Sequence, residues 1–138
     1  MEPRILDAGM MVSDQIAPGD VASLAARGVR LIVNNRPDGE EPGQPSGAEI
    51  ARAAEAAGIA YRHIPVAPGG LTPDRIAAMG EAIEGAQGPV FAFCRTGTRS
   101  TFLWALAGAS AGKSGADILR KAADAGYDLT PIAHHLSR

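Results

Sequence analysis

The sequence predicts a single α/β domain, in which a central and mainly parallel sheet of about four to five strands carries helices on both faces. Short apolar runs alternate with segments that begin at helix N-caps and end at glycines. The chain has 138 residues, of which 46% are hydrophobic and 20% are charged, as is usual for a domain that buries a core. No internal repeat interrupts the alternation, so we expect one domain over residues 1–138.

The first part of the chain is expected to supply a hairpin, a helix and an inner strand. Arg4–Leu6 and Met10–Ser13 are short runs that fit the two strands of a hairpin. Asp20–Arg27 is predicted to be a helix, because Gly28 follows it at the position where glycine often ends helices. Val29–Asn34 is an apolar run that we expect near the centre of the sheet.

The middle of the chain is predicted to contain a long loop, two helices and a strand. Asn35–Pro45 holds three prolines and two glycines, so we expect it to lie on the surface. Ser46–Glu49 has the pattern of a capping box and begins a helix that ends at Gly58. Ile59–Pro65 predicts a third main strand. Thr72–Gly85 predicts a helix that starts with a threonine N-cap and a proline.

The last part of the chain is predicted to form one more strand and three helices. Val90–Phe93 is short and apolar, as buried parallel strands are. Ser100–Ala111 follows as a helix after a short loop. Ser114–Gly126 begins with another capping pattern and ends at a glycine, and Thr130–Leu136 predicts a short terminal helix.

Three loops are expected to lie together at one rim of this sheet. Ligands of such folds bind beyond the carboxyl ends of the parallel strands. That rule brings together Asn34–Gly43, Val66–Leu71 and Cys94–Arg99. The second of these loops contains no ionisable side chain, and the third begins with the only cysteine in the chain.

The loop that begins at Cys94 has the pattern of an anion-binding, nucleophilic site. A strand precedes the cysteine, Gly97 lies in the middle of the loop, and a helix begins after Arg99. The loop amides and the positive end of that helix stabilise a thiolate and a bound anion. We therefore expect Cys94 to be the nucleophile, with Arg95 and Arg99 binding an anionic substrate. The alternative is a small buried cysteine with only a packing role.

The remaining candidate residues of the loop bind substrate through the backbone. The amides of residues 95–99, which include Thr96, Gly97 and Thr98, are expected to form the cradle for the transferred group. Arg36, on the first rim loop, is a further candidate for substrate binding, with a solvated loop arginine as the alternative.

Other polar residues are predicted to be structural. Asp38 stands in a Pro-Asp-Gly turn pattern. His63 has no second ligand or nucleophile near it in sequence, and the adjacent His134 and His135 point to different faces of a helix. We therefore predict no metal site and no organic cofactor.

Charge and hydrophobicity argue against two classes of partner. The formal net charge is −2 and no run of Lys or Arg is present, which argues against nucleic-acid binding. No apolar stretch approaches the roughly 20 residues needed to cross a bilayer, so no membrane association is expected. The N-terminus lacks the pattern of a signal peptide, and one cysteine cannot form an internal disulfide. We expect a cytoplasmic location.

The string from Cys94 to Ser100 resembles two known active loops. It is similar to the short Cys-x-x-Gly loop of rhodanese-type sulfurtransferases. It is also similar to the signature of cysteine-dependent protein phosphatases, in which five residues separate the Cys from an Arg followed by Ser or Thr. Here four residues separate Cys94 from Arg99. The phosphatase resemblance implies that Ser100 has a catalytic role, with its hydroxyl hydrogen-bonded to the Cys94 sulfur.

A broader resemblance covers nearly the whole chain. It is carried by four strings: Val12–Ile16, Gly28–Arg30, Asn34–Glu40 and Ile64–Val66. They resemble the phosphatase-like domain of bacterial beta-lactamase hydrolase-like proteins, which implies a fold similar to dual-specificity phosphatases. Some family members are fused to a metallo-beta-lactamase-type domain tied to sulfide and persulfide metabolism. The resemblance therefore implies a separate persulfide dioxygenase of that type as an expected partner.

The two resemblances imply different chemistries, and the rim loops favour one of them. Phosphatases of this fold use an Asp as general acid on the loop that corresponds to Val66–Leu71, and this chain has none there. Sulfite leaves thiosulfate without protonation. We therefore expect a rhodanese-like sulfurtransferase that takes sulfane sulfur from thiosulfate or a persulfide, holds it as a Cys94 persulfide and passes it to a thiol. The alternatives are a cysteine-dependent phosphatase acting on phosphate monoesters, and a non-catalytic thiol sensor or binding module.

Overall fold

The computed structural model describes residues 1–136, in which five strands form one sheet. The strands are β1 (Arg4–Asp7), β2 (Met10–Ser13), β3 (Leu31–Asn34), β4 (Ala60–His63) and β5 (Val90–Phe93). Their order across the sheet is β1-β2-β5-β3-β4. β1 is antiparallel to β2, and all other neighbours are parallel. This sheet confirms the predicted mainly parallel architecture.

Within the described residues, five α-helices connect or follow the strands. They are α1 (Val21–Ala26), α2 (Gly47–Ala56), α3 (Pro73–Gly85), α4 (Thr98–Ser110) and α5 (Gly115–Asp124). Two 3₁₀ helices cover Pro18–Asp20 and Thr130–His135. The N-caps read from the sequence are formed: the side chains of Ser46, Thr72 and Ser114 each accept a hydrogen bond from the amide three residues later.

The strands alternate their side chains between two hydrophobic cores, one on each face of the sheet. Phe91 and Phe93 pack with residues of α1 and α2. Ala92 points the opposite way and packs with residues of α3, α4 and α5. Trp104, the only tryptophan, lies in this second core with 8% of its surface exposed. The expectation of helices on both faces is therefore confirmed.

The three inner parallel strands end level with one another, which places the site. Ser13, Asn34 and Phe93 are register partners at the last positions of β2, β3 and β5. The amide of Cys94 donates to the Ser13 carbonyl at 3.4 Å. The Asn35 amide donates to the Phe93 carbonyl at 2.8 Å. The loops that follow these strands therefore start side by side.

One helix begins earlier than predicted. α4 begins at Thr98 and not at Ser100, because Gly97 adopts a φ of +90° and serves as the N-cap. The predicted short terminal helix is present as a 3₁₀ helix over Thr130–His135. Within residues 1–136 we find no helix with both the length and the apolar character required to cross a membrane.

Candidate active site

Cys94 lies at the carboxyl end of the central strand β5, with its side chain fully buried. Its sulfur accepts a hydrogen bond from the Gly97 amide, with an N–Sγ distance of 3.1 Å. The first turn of α4 follows immediately. The sulfur therefore faces an amide at the N-terminus of a helix, as the sequence pattern predicts. The role of Cys94 as nucleophile stays a prediction.

The hydroxyls of the first turn of α4 differ from expectation. The Ser100 hydroxyl is buried and makes no hydrogen bond within residues 1–136, so the expected bond to the Cys94 sulfur is not formed. The adjacent Thr101 acts on the loop instead. Its hydroxyl donates to the Gly97 carbonyl at 2.8 Å, which fastens the loop to the helix. The sequence analysis missed Thr101, although a threonine in a first helical turn commonly bonds a preceding carbonyl.

Arg99 is held over the rim by acceptors from the two other loops. Its Nη1 donates to Glu40 at 2.7 Å and to the Val66 carbonyl at 2.7 Å, and its Nη2 donates to Glu40 at 2.9 Å. A guanidinium has five donors, and the Nε–H and the second Nη2–H take part in none of these three bonds. The bonds to Glu40 and the negative charge of Cys94 raise the pKa of Arg99. The side chain is therefore a fixed positive group that can pair with an anion.

Glu40 and Glu41 bind all three arginines of the rim. Glu40 accepts from Arg36 Nε at 2.8 Å in addition to Arg99. Glu41 accepts from Arg36 Nη2 at 2.6 Å and from Arg95 Nε at 3.0 Å. Hydrogen bonding from Arg99 is the main reason that the pKa of Glu40 falls from 4.5 to about 2, despite partial burial. Both carboxylates are thus counterions of the arginines, and Glu40 is ionised near neutral pH.

Arg36 lies at the centre of this cluster, and only 3% of its surface is exposed. Besides the two glutamates, Gln15 accepts from its Nη1 at 3.0 Å. Each nitrogen of its guanidinium thus donates to a protein acceptor, which gives Arg36 a structural role. Its predicted role in substrate binding stays a prediction. Buried arginines need such partners, and the two acids of the rim loop were the sequence signal for them.

Three loop residues predicted to bind substrate lie on the open side of the cysteine loop. The side chain of Arg95 is 65% exposed and its charge is paired with Glu41. Thr96 and Thr98 are joined by a hydrogen bond between their hydroxyls at 3.0 Å. The substrate contacts predicted for these three residues remain predictions.

The other polar residues of the rim have structural partners. Asp38 lies in a turn, as its sequence pattern predicts, and it also accepts from the Gly47 amide at 2.7 Å at the start of α2. His63 Nε2 lies 2.9 Å from the Arg36 carbonyl. Over the described part of the chain, no group of three or more His, Cys, Asp or Glu side chains could hold a metal ion.

The Cys94 sulfur, the loop amides and the arginines of the rim are suited to covalent catalysis on an anionic substrate. A buried sulfur beneath a guanidinium edge and beside a helix N-terminus can attack an electrophilic centre that carries negative oxygens. The arginines neutralise the oxygens, and the Gly97 amide stabilises the sulfur as attacking and leaving group.

Comparisons with known proteins place this site in a family. Residues 2–111 match the family described as "Beta-lactamase hydrolase-like protein, phosphatase-like domain". A beta-lactamase hydrolase-like protein from Agrobacterium fabrum is 39% identical over 130 residues, which cover 94% of this chain and 30% of that protein. One from Xylella fastidiosa strain 9a5c is 37% identical over 138 residues. The chain therefore spans about a third of the length of these curated relatives.

Solved structures agree with the fold. A crystal structure of a candidate phosphatase from Neisseria meningitidis Z2491 is 34% identical, with a TM-score of 0.84 over 96% of this chain and 94% of that one. Tk-PTP in its active form is 20% identical, with a TM-score of 0.70 over 97% and 92% of the two chains, and shares the fold. The expected dual-specificity-phosphatase-like architecture is confirmed. The chain belongs to the phosphatase-like domain family of the beta-lactamase hydrolase-like proteins.

Proposed function

We propose that this domain is a cysteine-dependent phosphatase that hydrolyses phosphate monoesters through a Cys94 phosphocysteine. The observation that carries the proposal is the arrangement of Cys94 and Arg99: the sulfur is bonded by the Gly97 amide, and the guanidinium is fixed by Glu40 and Val66. The family and the phosphatase-like neighbours support this chemistry over the sulfur transfer expected from the sequence.

The first step would be attack by the Cys94 thiolate on phosphorus. The S–P bond forms as the P–O bond to the leaving group breaks, and the leaving oxygen takes the bonding electron pair. The Nε–H and the second Nη2–H of Arg99 would bind two of the non-bridging oxygens, as a planar fork does best. Water then attacks the phosphocysteine, which releases inorganic phosphate and restores the thiolate.

The weak point of this mechanism is protonation of the leaving oxygen. The loop of residues 66–71 contributes only the Val66 carbonyl to the arrangement and has no ionisable side chain. Glu40 has a pKa of about 2 and is bound to arginines, so it is ionised and cannot supply a proton near neutral pH. We therefore expect substrates with acidic leaving groups, such as activated aryl phosphates, to react best.

Sulfur transfer is the second candidate, supported by loop length. Four residues separate Cys94 from Arg99, as in rhodanese-type loops. In that reaction the thiolate attacks the outer sulfur of thiosulfate, the S–S bond breaks, and sulfite leaves with the electron pair. The product is a Cys94 persulfide. No proton donor is needed, which suits the same rim.

Parallel assays distinguish the two reactions. Wild type and Cys94→Ser would be tested for phosphate release from aryl phosphates of graded leaving-group acidity and for thiosulfate:cyanide transfer. The proposal predicts phosphate release that is lost in Cys94→Ser and a rate that falls steeply as the leaving group becomes less acidic.

Mass spectrometry of the intact protein gives the decisive contrast. A stable single-sulfur adduct after brief exposure to thiosulfate, removed by cyanide and absent from Cys94→Ser, would replace the phosphatase proposal if no phosphate is released. Absence of both activities, with Cys94 still reactive toward alkylating agents, would favour a thiol sensor or binding module.

A further inference from the structure

Tyr127 follows the C-terminal end of α5, and its side chain lies beside the cysteine loop. Its hydroxyl donates to the Thr96 carbonyl with an Oη–O distance of 3.2 Å. The guanidinium of Arg4 lies over its ring, 5.5 Å from the centroid. Arg4 Nη1 is itself fixed to the Ala125 carbonyl at 2.7 Å. These contacts hold the phenol of Tyr127 against the cysteine loop.

The contact between Tyr127 and the loop is close enough to require a glycine. A Cβ built on Gly97 would collide with the Tyr127 hydroxyl and would lie 3.3 Å from the Ser13 carbonyl oxygen. Gly97 also has a φ of +90°, which side chains with a Cβ adopt only with strain. The phenol thus fills the space beside the loop, so its position and the loop conformation depend on each other.

The hydrogen bond of Tyr127 reaches the same peptide group that contacts the nucleophile. The carbonyl of Thr96 and the amide of Gly97 belong to one planar trans peptide unit, so they point in opposite directions. Tyr127 holds the carbonyl end at 3.2 Å, and the Cys94 sulfur accepts from the amide end at 3.1 Å. Rotation of this unit would turn a carbonyl oxygen, instead of an N–H, toward the thiolate.

We propose that Tyr127 is a positioning residue of the active loop, whose hydroxyl fixes the peptide between Thr96 and Gly97 with its amide aimed at the Cys94 sulfur. This role rests on Cys94 being the nucleophile of the proposed function. It holds for either phosphate or sulfur chemistry, because both need the thiolate.

The phenol is a dependable donor. Burial raises the pKa of Tyr127, and the negative charges of Cys94 and Asp14 act in the same direction against the opposing effect of Arg4. A phenol whose pKa lies above its ordinary value of 10.0 stays protonated at neutral pH. It can therefore donate to the Thr96 carbonyl at neutral pH.

The test replaces only the hydroxyl, with Tyr127→Phe, and measures two properties that need no turnover. These are the pH profile of Cys94 alkylation by iodoacetamide and the affinity for tungstate, a tetrahedral oxyanion. One hydrogen bond corresponds to a loss of roughly two- to tenfold. We expect alkylation at neutral pH and tungstate affinity to fall by that factor, and the alkylation profile to move to higher pH.

Tyr61→Phe is the matched control. Tyr61 lies on β4, two strands away from β5, and its hydroxyl accepts from Asn34 Nδ2 at 3.1 Å. This variant removes a hydroxyl of similar burial without touching the loop, so alkylation and tungstate binding should match those of wild type. Equal losses in both tyrosine variants, or no loss in Tyr127→Phe, would overturn the proposal.

A second variant keeps the test decisive if Tyr127→Phe is unstable. Gly97→Ala should displace the phenol through the new Cβ and lower alkylation by at least as much. In the double variant the loss should be smaller than the product of the two single losses, because both act on one contact. Multiplicative losses would show that the two residues act independently. Absence of phosphate release in wild type would count against the proposed reaction alone.

Discussion

Two loops of the same rim hold Arg99 through different kinds of group. The loop after β3 supplies charged side chains, and Glu40 alone accepts two of the hydrogen bonds that fix this guanidinium. The loop after β4 supplies only the backbone carbonyl of Val66. The first loop therefore orients the arginine that we propose binds the anion, while the second loop offers no side chain that could protonate a leaving group. In the proposed mechanism the carboxylates of the rim orient cations and do not act as acids.

The largest expected effect comes from Arg99→Lys, which breaks the arrangement on both loops. Lysine keeps the charge but cannot bond Glu40 through two nitrogens and present a planar edge to substrate. We expect kcat/KM for an activated aryl phosphate to fall about thirtyfold, equivalent to roughly 2 kcal/mol. Arg120→Lys, at an exposed arginine of α5, is the control. Near-normal activity of Arg99→Lys would mean that the loop amides bind the anion alone.

Glu40→Gln should weaken the contribution of the first loop without removing the arginine. The amide loses one charge-assisted bond, for which about a tenfold loss of activity is expected. Glu55→Gln, at an exposed position of α2, is the control. If Glu40 acted as a proton donor instead, the loss would be largest for substrates with poor leaving groups, and the same kinetic series would reveal it.

The same variant has a stability signature. The folded-state pKa of Glu40 is about 2, below the ordinary value of 4.5. Its ionised form therefore stabilises the fold above pH 4.5, and that contribution is lost as the pH falls toward about 2. The difference in free energy of unfolding between wild type and Glu40→Gln should be present at neutral pH and shrink through this window. A difference that stays constant with pH would contradict the assigned ion pairs.

Ala67→Asp adds to the second loop the acid that it lacks. Ala67 is exposed, so a carboxylate is accommodated there. A well-placed general acid contributes roughly 10²–10⁴-fold, and an unoptimised one should contribute about fivefold for phenyl phosphate and nothing for activated esters. Ala67→Asn is the control, because asparagine has a shape similar to that of aspartate but no acidic proton to donate. Equal gains for both classes of ester would indicate altered binding rather than acid catalysis.

The smallest effect is expected for Arg95→Gln, which leaves the bond between Glu41 and Arg36 in place. The pair between Glu41 and Arg95 is largely solvent-exposed, and such pairs contribute less than about 1 kcal/mol. Activity should change about twofold or less, with a weaker dependence on ionic strength than in wild type. A loss of activity as large as that of Glu40→Gln would mean that Arg95 contributes directly to substrate binding.

The local parts of the site could be predicted, and the long-range parts could not. The order of strand, Cys94, Gly97 and Arg99 lies within one short string, and its geometry follows from backbone rules. The pairing of Arg99 with Glu40 joins residues 59 positions apart, and no local pattern specifies it. Arg36 illustrates the same limit, because its loop has a surface composition while its side chain is buried by its own counterions.

The helix that carries Arg99 also carries the only tryptophan of the chain. Trp104 lies on α4, one and a half turns beyond Arg99, with its ring in the larger core. Its emission therefore originates from one known position, next to the element on which the cysteine loop depends. Fluorescence lifetime and quenching should report on loop binding and on loop variants without any label. Trp104 is therefore an intrinsic fluorescent reporter on the helix that follows the cysteine loop.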